Sequence, residues 1–165
     1  MKVGIVSDTH MTTRRNIFPD PLLKGLEDVE LIIHAGDWQT LEVYEQLSEI
    51  APVEGVAGNV DDMEIIERFG HKKLLTLNGY TIGVTHGHLG KGRTTPEHAR
   101  SMFEEDDPDL IIFGHSHIPL DEEIDGVRMF NPGSPTDKRW QPRFSFGLMT
   151  LGETLDVRHV YYDKT

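Results

Sequence analysis

Cysteine is absent from all 165 residues. That absence excludes a disulfide framework, a thiolate zinc or iron–sulfur site and a cysteine nucleophile. Basic residues are scarce as well: 16 Lys and Arg stand against 28 Asp and Glu, for a formal charge of -12 and no basic tract. Nucleic acid or an anionic membrane, gripped through bulk charge, is therefore not an expected partner. Long hydrophobic runs are missing too, since apolar stretches stop after four or five residues at Gly or a charge, far short of the ~18 that a membrane span needs. The first residues, Met1-Lys2-Val3-Gly4-Ile5-Val6, run straight into a strand-like segment without a signal-peptide pattern. A soluble, cytoplasmic protein is the expectation, and the length favours a single domain over 1–165. Histidine is the residue in excess, at nine copies.

Short apolar runs recur at Val3 to Val6, Leu31 to Ile33, Val53 to Ala57, Thr81 to Val84 and Leu110 to Phe113. Continuous runs of this kind suit strands buried on both faces. Amphipathic stretches from Pro19 to Glu27 and from Gln39 to Ile50 lie between the first of them; in the second, Leu41, Tyr44, Leu47 and Ser48 share a helical face. Pro96 to Glu105 is a further helix candidate, ended before Pro108. The pattern predicts an α/β fold. Beyond Ile118, alternation and the turn residues Asp125-Gly126, Asn131-Pro132-Gly133-Ser134 and Gly152 predict antiparallel strands.

Each buried run ends in residues that a core would not choose. Val6 gives way to Ser7-Asp8-Thr9-His10, Ile33 to His34-Ala35-Gly36-Asp37, Ala57 to Gly58-Asn59, Val84 to Thr85-His86-Gly87-His88, and Phe113 to Gly114-His115-Ser116-His117. Ligands of open α/β sheets bind at the carboxyl ends of strands, and here five such ends supply Asp, Asn and His, all metal-ligand types. Asp8 and His10, like His115 and His117, are two apart, so on extended backbone both members of a pair face one side and grip one ion. Asp37, after a glycine that permits a tight turn, is suited to bridge two ions through its two oxygens. A nitrogen and oxygen set without sulfur suits Mn, Fe, Co, Ni or Zn.

Asp8-Thr9-His10, Gly36-Asp37, Gly58-Asn59, His86 and Gly114-His115-Ser116-His117, in this order along most of the chain, resemble the calcineurin-like metallophosphoesterase superfamily, its short YfcE-type phosphodiesterase branch in particular. The turn Asn131-Pro132-Gly133-Ser134 resembles one common in that branch. The resemblance implies a two-sheet β-sandwich flanked by helices and a two-metal site. Asp37 would bridge, with Asp8, His10 and His117 on one ion and Asn59, His86 and His115 on the other. Asp37, Asn59 and His86 would form its catalytic centre. It further implies Mn²⁺ as the usual activating ion, with Fe, Zn or Ni as alternatives, and a metal-bridging hydroxide that attacks a small or nucleotide-like phosphodiester. Two dications bring +4 against the -2 of Asp8 and Asp37, so the site is positive by about +2 inside an acidic chain. A phosphomonoesterase is the alternative reaction. A protein-interaction scaffold, as in the retromer subunit of this fold, is the alternative class.

Many members of that superfamily carry a histidine directly after the asparagine, where it assists the leaving group; here the position is Val60, which has no proton to give. Good leaving groups are the expected preference. In Asp61-Asp62-Met63-Glu64, Asp61 reads as a helix cap with Glu64 three residues on, a substitute acid or base being the alternative. His34 reads as closing a strand, with orienting ligands as the alternative, His88 as a ligand or substrate neighbour or a structural residue, and His71, His98 and His159 as surface residues. Arg14, Arg15, Lys91 and Arg93 are candidate phosphate contacts. The apolar members of the tail Val157 to Tyr162 suit a terminal strand or a homodimer contact.

Overall fold

The computed structural model describes residues 1–11 and 18–163; Arg14 and Arg15 lie outside them. Two five-stranded mixed sheets carry the molecule. In the first, β1 (Lys2–Val6), β2 (Leu31–His34) and β3 (Val53–Gly55) run parallel, and β9 (Phe144–Leu151) and β10 (Leu155–Tyr162) add antiparallel strands beside β1. In the second, β5 (Tyr80–Thr85), β6 (Leu110–Ile112) and β8 (Val127–Asn131) run parallel between antiparallel edges β4 (Lys72–Leu77) and β7 (Leu120–Ile124). The tail from Ile118 is thus antiparallel as expected except at β8, which pairs in parallel with β6.

Strand alternation explains the layers. Val3 and Ile5 of β1, Leu31 and Ile33 of β2 and Met149 of β9 pack against Ile82 and Val84 of β5, Leu110 and Ile112 of β6 and Phe130 of β8, and these residues fill the space between the sheets. The opposite face of the first sheet, with Val6, Ile32, Phe146 and Leu148, is covered by α1 (Asp20–Leu26), α2 (Leu41–Ser48) and α3 (Met63–Phe69) through Leu22, Leu26, Val43, Leu47, Ile65 and Phe69. Ile111, Phe113 and Met129 on the outer face of the second sheet lie under α4 (Thr95–Ser101), against Ala99 and Phe103. Helix, sheet, sheet, helix is the result, and both faces of β1, β2 and β6 are buried, as their continuous apolar runs require.

Two elements depart from the sequence-based expectation. α3 is capped by Asp62, whose side chain accepts from Ile65 N, and Asp61 takes no part in that cap. β4 is an edge strand whose side chains alternate between exposed and half-buried, and it joins β5 at Asn78-Gly79, both at positive φ (49° and 85°). No helix among the described residues is long and apolar enough to cross a membrane.

Candidate metal centre

Three parallel strands of one sheet and two of the other end at the same place. Asp8 and His10 follow β1, Asp37 follows β2, Asn59 follows β3, His86 follows β5, and His115 and His117 follow β6. The metal-capable side chains gather in two groups, Asp8 with His10 and His117, and Asp37 with His86 and His115, the ligand atoms within 4.8 Å of one another in each. Asn59 joins the second, its Oδ1 lying 3.1 Å from both His86 Nε2 and His115 Nδ1.

The backbone reaches this arrangement by a route that spacing does not reveal. Asp8, His10, Asp37, His115 and His117 sit at positive φ, between 45° and 71°, so the pairs converge through left-handed loop residues rather than extended strand. For non-glycine residues that conformation costs on the order of 1 kcal/mol each, and strain of this kind gathers where a site demands it. The glycines of the motifs make room for the side chains. Gly36 turns at φ +104°, and a Cβ on Gly114 would stand 2.0 Å from Ser7 Oγ and 2.5 Å from Asp8 Oδ2.

Each carboxylate is divided between scaffold and centre. Asp8 Oδ2 accepts from Ser7 Oγ (2.8 Å) and His115 N (3.0 Å), while Oδ1 faces His10, His86 and His117 Nε2 at 3.6–3.8 Å. Asp37 Oδ1 accepts from Val60 N (3.0 Å), and Oδ2 faces His86 Nε2 at 3.2 Å and His10 Nε2 at 3.4 Å. One oxygen of Asp37, not two, therefore looks toward both groups. The imidazoles are oriented from behind: His86 Nδ1 donates to Ala35 O (2.8 Å) and His117 Nδ1 to Asp137 O (2.5 Å), which leaves both Nε2 lone pairs pointing inward. Loop 131–137 also braces the first ligand loop, for Ser134 Oγ donates to Asp8 O and Thr136 Oγ1 to Thr9 O.

This donor set fits cations. With Nδ1 committed to Ala35, a neutral His86 presents a lone pair to two further acceptors, Asn59 Oδ1 and Asp37 Oδ2. Asp8 Oδ1 and His10 Nε2 are buried without a hydrogen-bond partner. Positive charge among these atoms relieves them. Protons supply it when nothing else does. Burial disfavours the His10 cation, yet the Asp37 and Asp8 carboxylates outweigh that and push its pKa up to about 9; the same balance raises His86. Asp37, likewise against burial, is held well below the carboxylate range by His10 and His86.

Around this centre the remaining histidines divide. His34 is buried and stacked on Trp38 at 3.9 Å; its Nδ1 accepts from Gly36 N (3.0 Å) and its Nε2 donates to Thr9 Oγ1 (3.1 Å), which donates to Trp38 O. Burial pushes its pKa down to about 3. It ties two ligand loops together as a neutral ring, a larger task than closing a strand. Because the folded value lies below the unfolded ~6.5, the unfolded chain binds the extra proton, and stability falls as pH drops from that value toward 3. The expected cost between pH 7 and pH 5 is about 2 kcal/mol, read as the part of the urea-midpoint slope that His34→Gln removes; equal slopes would contradict this role. His71, His98 and His159 are each half-buried with a ring nitrogen on a backbone carbonyl, not free at the surface. The His88 ring lies 5.4 Å from those of His86 and His71 and 6.3 Å from that of His115, and its pKa falls to about 4 through burial and these neighbours.

Of the basic candidates, Arg93 donates its backbone N–H to Glu97 and Lys91 its own to Ser101. Lys91 lines a cleft of about 320 Å³ with Glu97, Arg100, Glu104 and Asp125, none of them a candidate ligand. Asp61 is the residue that sequence reading misplaced. It is buried, Oδ2 accepting from Asp37 N (2.8 Å) and Gly58 N (2.7 Å) and Oδ1 from Gln39 N (2.9 Å), so one carboxylate staples the loops carrying Asp37 and Asn59.

A four-layer α-β-β-α protein with nitrogen and oxygen side chains able to hold metal at the strand ends is the class defined by this fold and site. Residues 1–154 match the calcineurin-like phosphoesterase superfamily domain, and the chain belongs to that family. A protein of Methanothermobacter thermautotrophicus named "Probable metallophosphoesterase" is 35% identical over 157 residues, 95% of this chain and 90% of its own length. Among solved structures, one titled as a novel archaeal phosphodiesterase superposes with a TM-score of 0.75 at 25% identity, covering 98% of this chain and 100% of its own. Vps29 of Entamoeba histolytica, in a structure titled as complexed with zinc, shares the fold at a TM-score of 0.77 and 23% identity, over 98% and 99% of the two chains.

Proposed function

We propose that the protein is a metal-dependent phosphodiesterase acting on small or nucleotide-like phosphodiesters, with Asp8, His10, Asp37, Asn59, His86, His115 and His117 holding two divalent ions, Mn²⁺ first among them. The observation that supports this reading most is the inward-facing set: Asp8 Oδ1 and His10 Nε2, buried without a hydrogen-bond partner, beside His86 Nε2, which faces Asp37 Oδ2 and Asn59 Oδ1. Two bound dications lower the pKa of water and draw charge from phosphoryl oxygens as it develops in an in-line displacement. Asp37 Oδ2, which faces His10 of one group and His86 of the other, would serve both ions, with Val60 N fixing its other oxygen. Ala35 O and Asp137 O keep His86 and His117 in the tautomer that presents Nε2. His34 and Asp61 hold the loops.

The Val60 side chain is exposed and offers no proton to a departing alkoxide. Rates on aryl diesters are therefore expected to fall steeply as the leaving-group pKa rises, with Val60→His flattening the dependence. Protein stripped with EDTA and reloaded ion by ion, then assayed on mono- and diesters, tests the whole reading. Hydrolysis restored by Mn²⁺ and favouring diesters is the expected result. Failure to bind Mn²⁺ in equilibrium dialysis would overturn it in favour of the scaffold alternative, for which the Vps29 likeness supplies the fold alone.

A further inference from the structure

The two groups of candidate ligands are supported from different parts of the chain. Behind the first lies loop 131–137. Ser134 is buried there, and its hydroxyl uses its whole hydrogen-bonding capacity: Oγ donates to Asp8 O (2.8 Å) and accepts from Asp137 N (2.8 Å) and Thr136 N (3.3 Å). Thr136 Oγ1 donates to Thr9 O (2.6 Å), between Asp8 and His10, and Asp137 O accepts from His117 Nδ1. The His117 ring in turn stacks on that of His10, centroids 5.0 Å apart. One hydroxyl therefore joins the loop after β1, in the first sheet, to the residue whose carbonyl aims His117, after β6 in the second.

The second group is held elsewhere. Asp61 staples the loops of Asp37 and Asn59, and Ala35 O fixes His86. Ties between the groups run through other atoms: His115 N donates to Asp8 Oδ2 (3.0 Å), and His10 N to Asp37 O (3.1 Å). These keep the loop after β1 in outline without Ser134, so loss of the hydroxyl loosens the first group and does not collapse it. Asn131, at the head of the same loop, donates to Gly114 O and Ser116 Oγ on either side of His115, and so serves both groups. Ser134 serves one. We propose that Ser134 is a positioning residue for a single ion, the one assigned to Asp8, His10 and His117, so that the affinities of the two metal positions are set by separate parts of the chain. This rests on the two-metal reading and not on the reaction.

Titration of the metal-free protein with Mn²⁺, followed by calorimetry and by the EPR spectrum of the ion, reads the two positions without turnover. In Ser134→Ala one ion is expected to bind about 10–100-fold more weakly and the other within about threefold of wild type, the scale of supports behind metal ligands. The spectrum at two equivalents should then be that of an isolated ion, where the wild type shows two coupled ones. Thr136→Val, which keeps the side chain's shape and drops its bond to Thr9 O, should weaken the same ion and carries the test if Ser134→Ala does not fold. Adding Ser134→Ala to His117→Ala should change little, because both act on one ion, whereas adding it to Asn59→Ala should leave no tight position. Both ions weakened alike, neither weakened, or the ion of Asn59 lost first would each overturn the assignment while leaving a two-metal centre. A wild type that binds fewer than two ions would defeat the two-metal reading and this division with it.

Discussion

Asp37→Asn is expected to lower kcat/KM for Mn²⁺-supported diester hydrolysis on the order of 10³-fold or more while the protein stays folded. The amide keeps an acceptor for Val60 N, so the loop after β2 retains its anchor. What disappears is the negative charge of the one oxygen that faces both groups of ligands, 3.2 Å from His86 Nε2 and 3.4 Å from His10 Nε2. Two dications cannot be held close together without a shared anion, so metal stoichiometry should fall toward one ion along with the rate. The metal-free variant has a second signature. Asp37 is a leading cause of the raised pKa of His10, so that group should titrate below the wild type's value of about 9 when followed by NMR. Undiminished activity with two ions still bound would defeat the two-metal reading. Lost activity with unchanged stoichiometry would place Asp37 in the chemistry rather than in metal retention.

Much of the centre was legible in the sequence, because a parallel strand buried on both faces is written as an apolar run and whatever follows it must lie at the sheet's carboxyl edge. That logic put Asp8, His10, Asp37, Asn59, His86, His115 and His117 among the strand-end candidates, the superfamily resemblance singled them out from neighbours such as His34 and His88, and the fold brings them together. The reason given for the Asp8–His10 and His115–His117 spacing was wrong. Period-two alternation holds on strands, whereas these residues sit at positive φ in loops, a conformation that no residue count reports. β4 was missed although Leu77-Asn78-Gly79-Tyr80 is a hairpin signal, because charged Lys72 and Lys73 obscure an edge strand. Asp61 and Asp62 are neighbours of one type. Only the fold distinguishes them, turning Asp62 to the first turn of α3 and Asp61 inward to three amides of two loops.

That inward turn makes Asp61 the second position where a large effect is expected, by a different route. Asp61→Asn changes one atom and no volume, but its amide has one acceptor oxygen where the carboxylate has two. If that oxygen keeps Asp37 N and Gly58 N, the new NH₂ meets the Gln39 N–H, donor against donor, beside a residue already at φ 80°. A buried amide left unpaired costs about 1–3 kcal/mol, and the bond lost was charge-assisted, so roughly 2–4 kcal/mol of stability should go. The loops that drift apart carry Asp37 and Asn59, so Mn²⁺ affinity is expected to fall about 10–100-fold, the scale of other supports behind metal ligands. The two carboxylates can then be told apart by experiment. Asp37→Asn removes charge from the centre and lowers the urea midpoint of the metal-free protein while His10 is protonated, a deficit that closes as pH rises through about 9. Asp61→Asn shifts that midpoint before any metal is added, and saturating Mn²⁺ recovers activity in part by drawing the loops back together. A variant at Asp61 with wild-type metal affinity would show that the centre is organised without the staple, by its braces on His86, His117 and Asp8 alone.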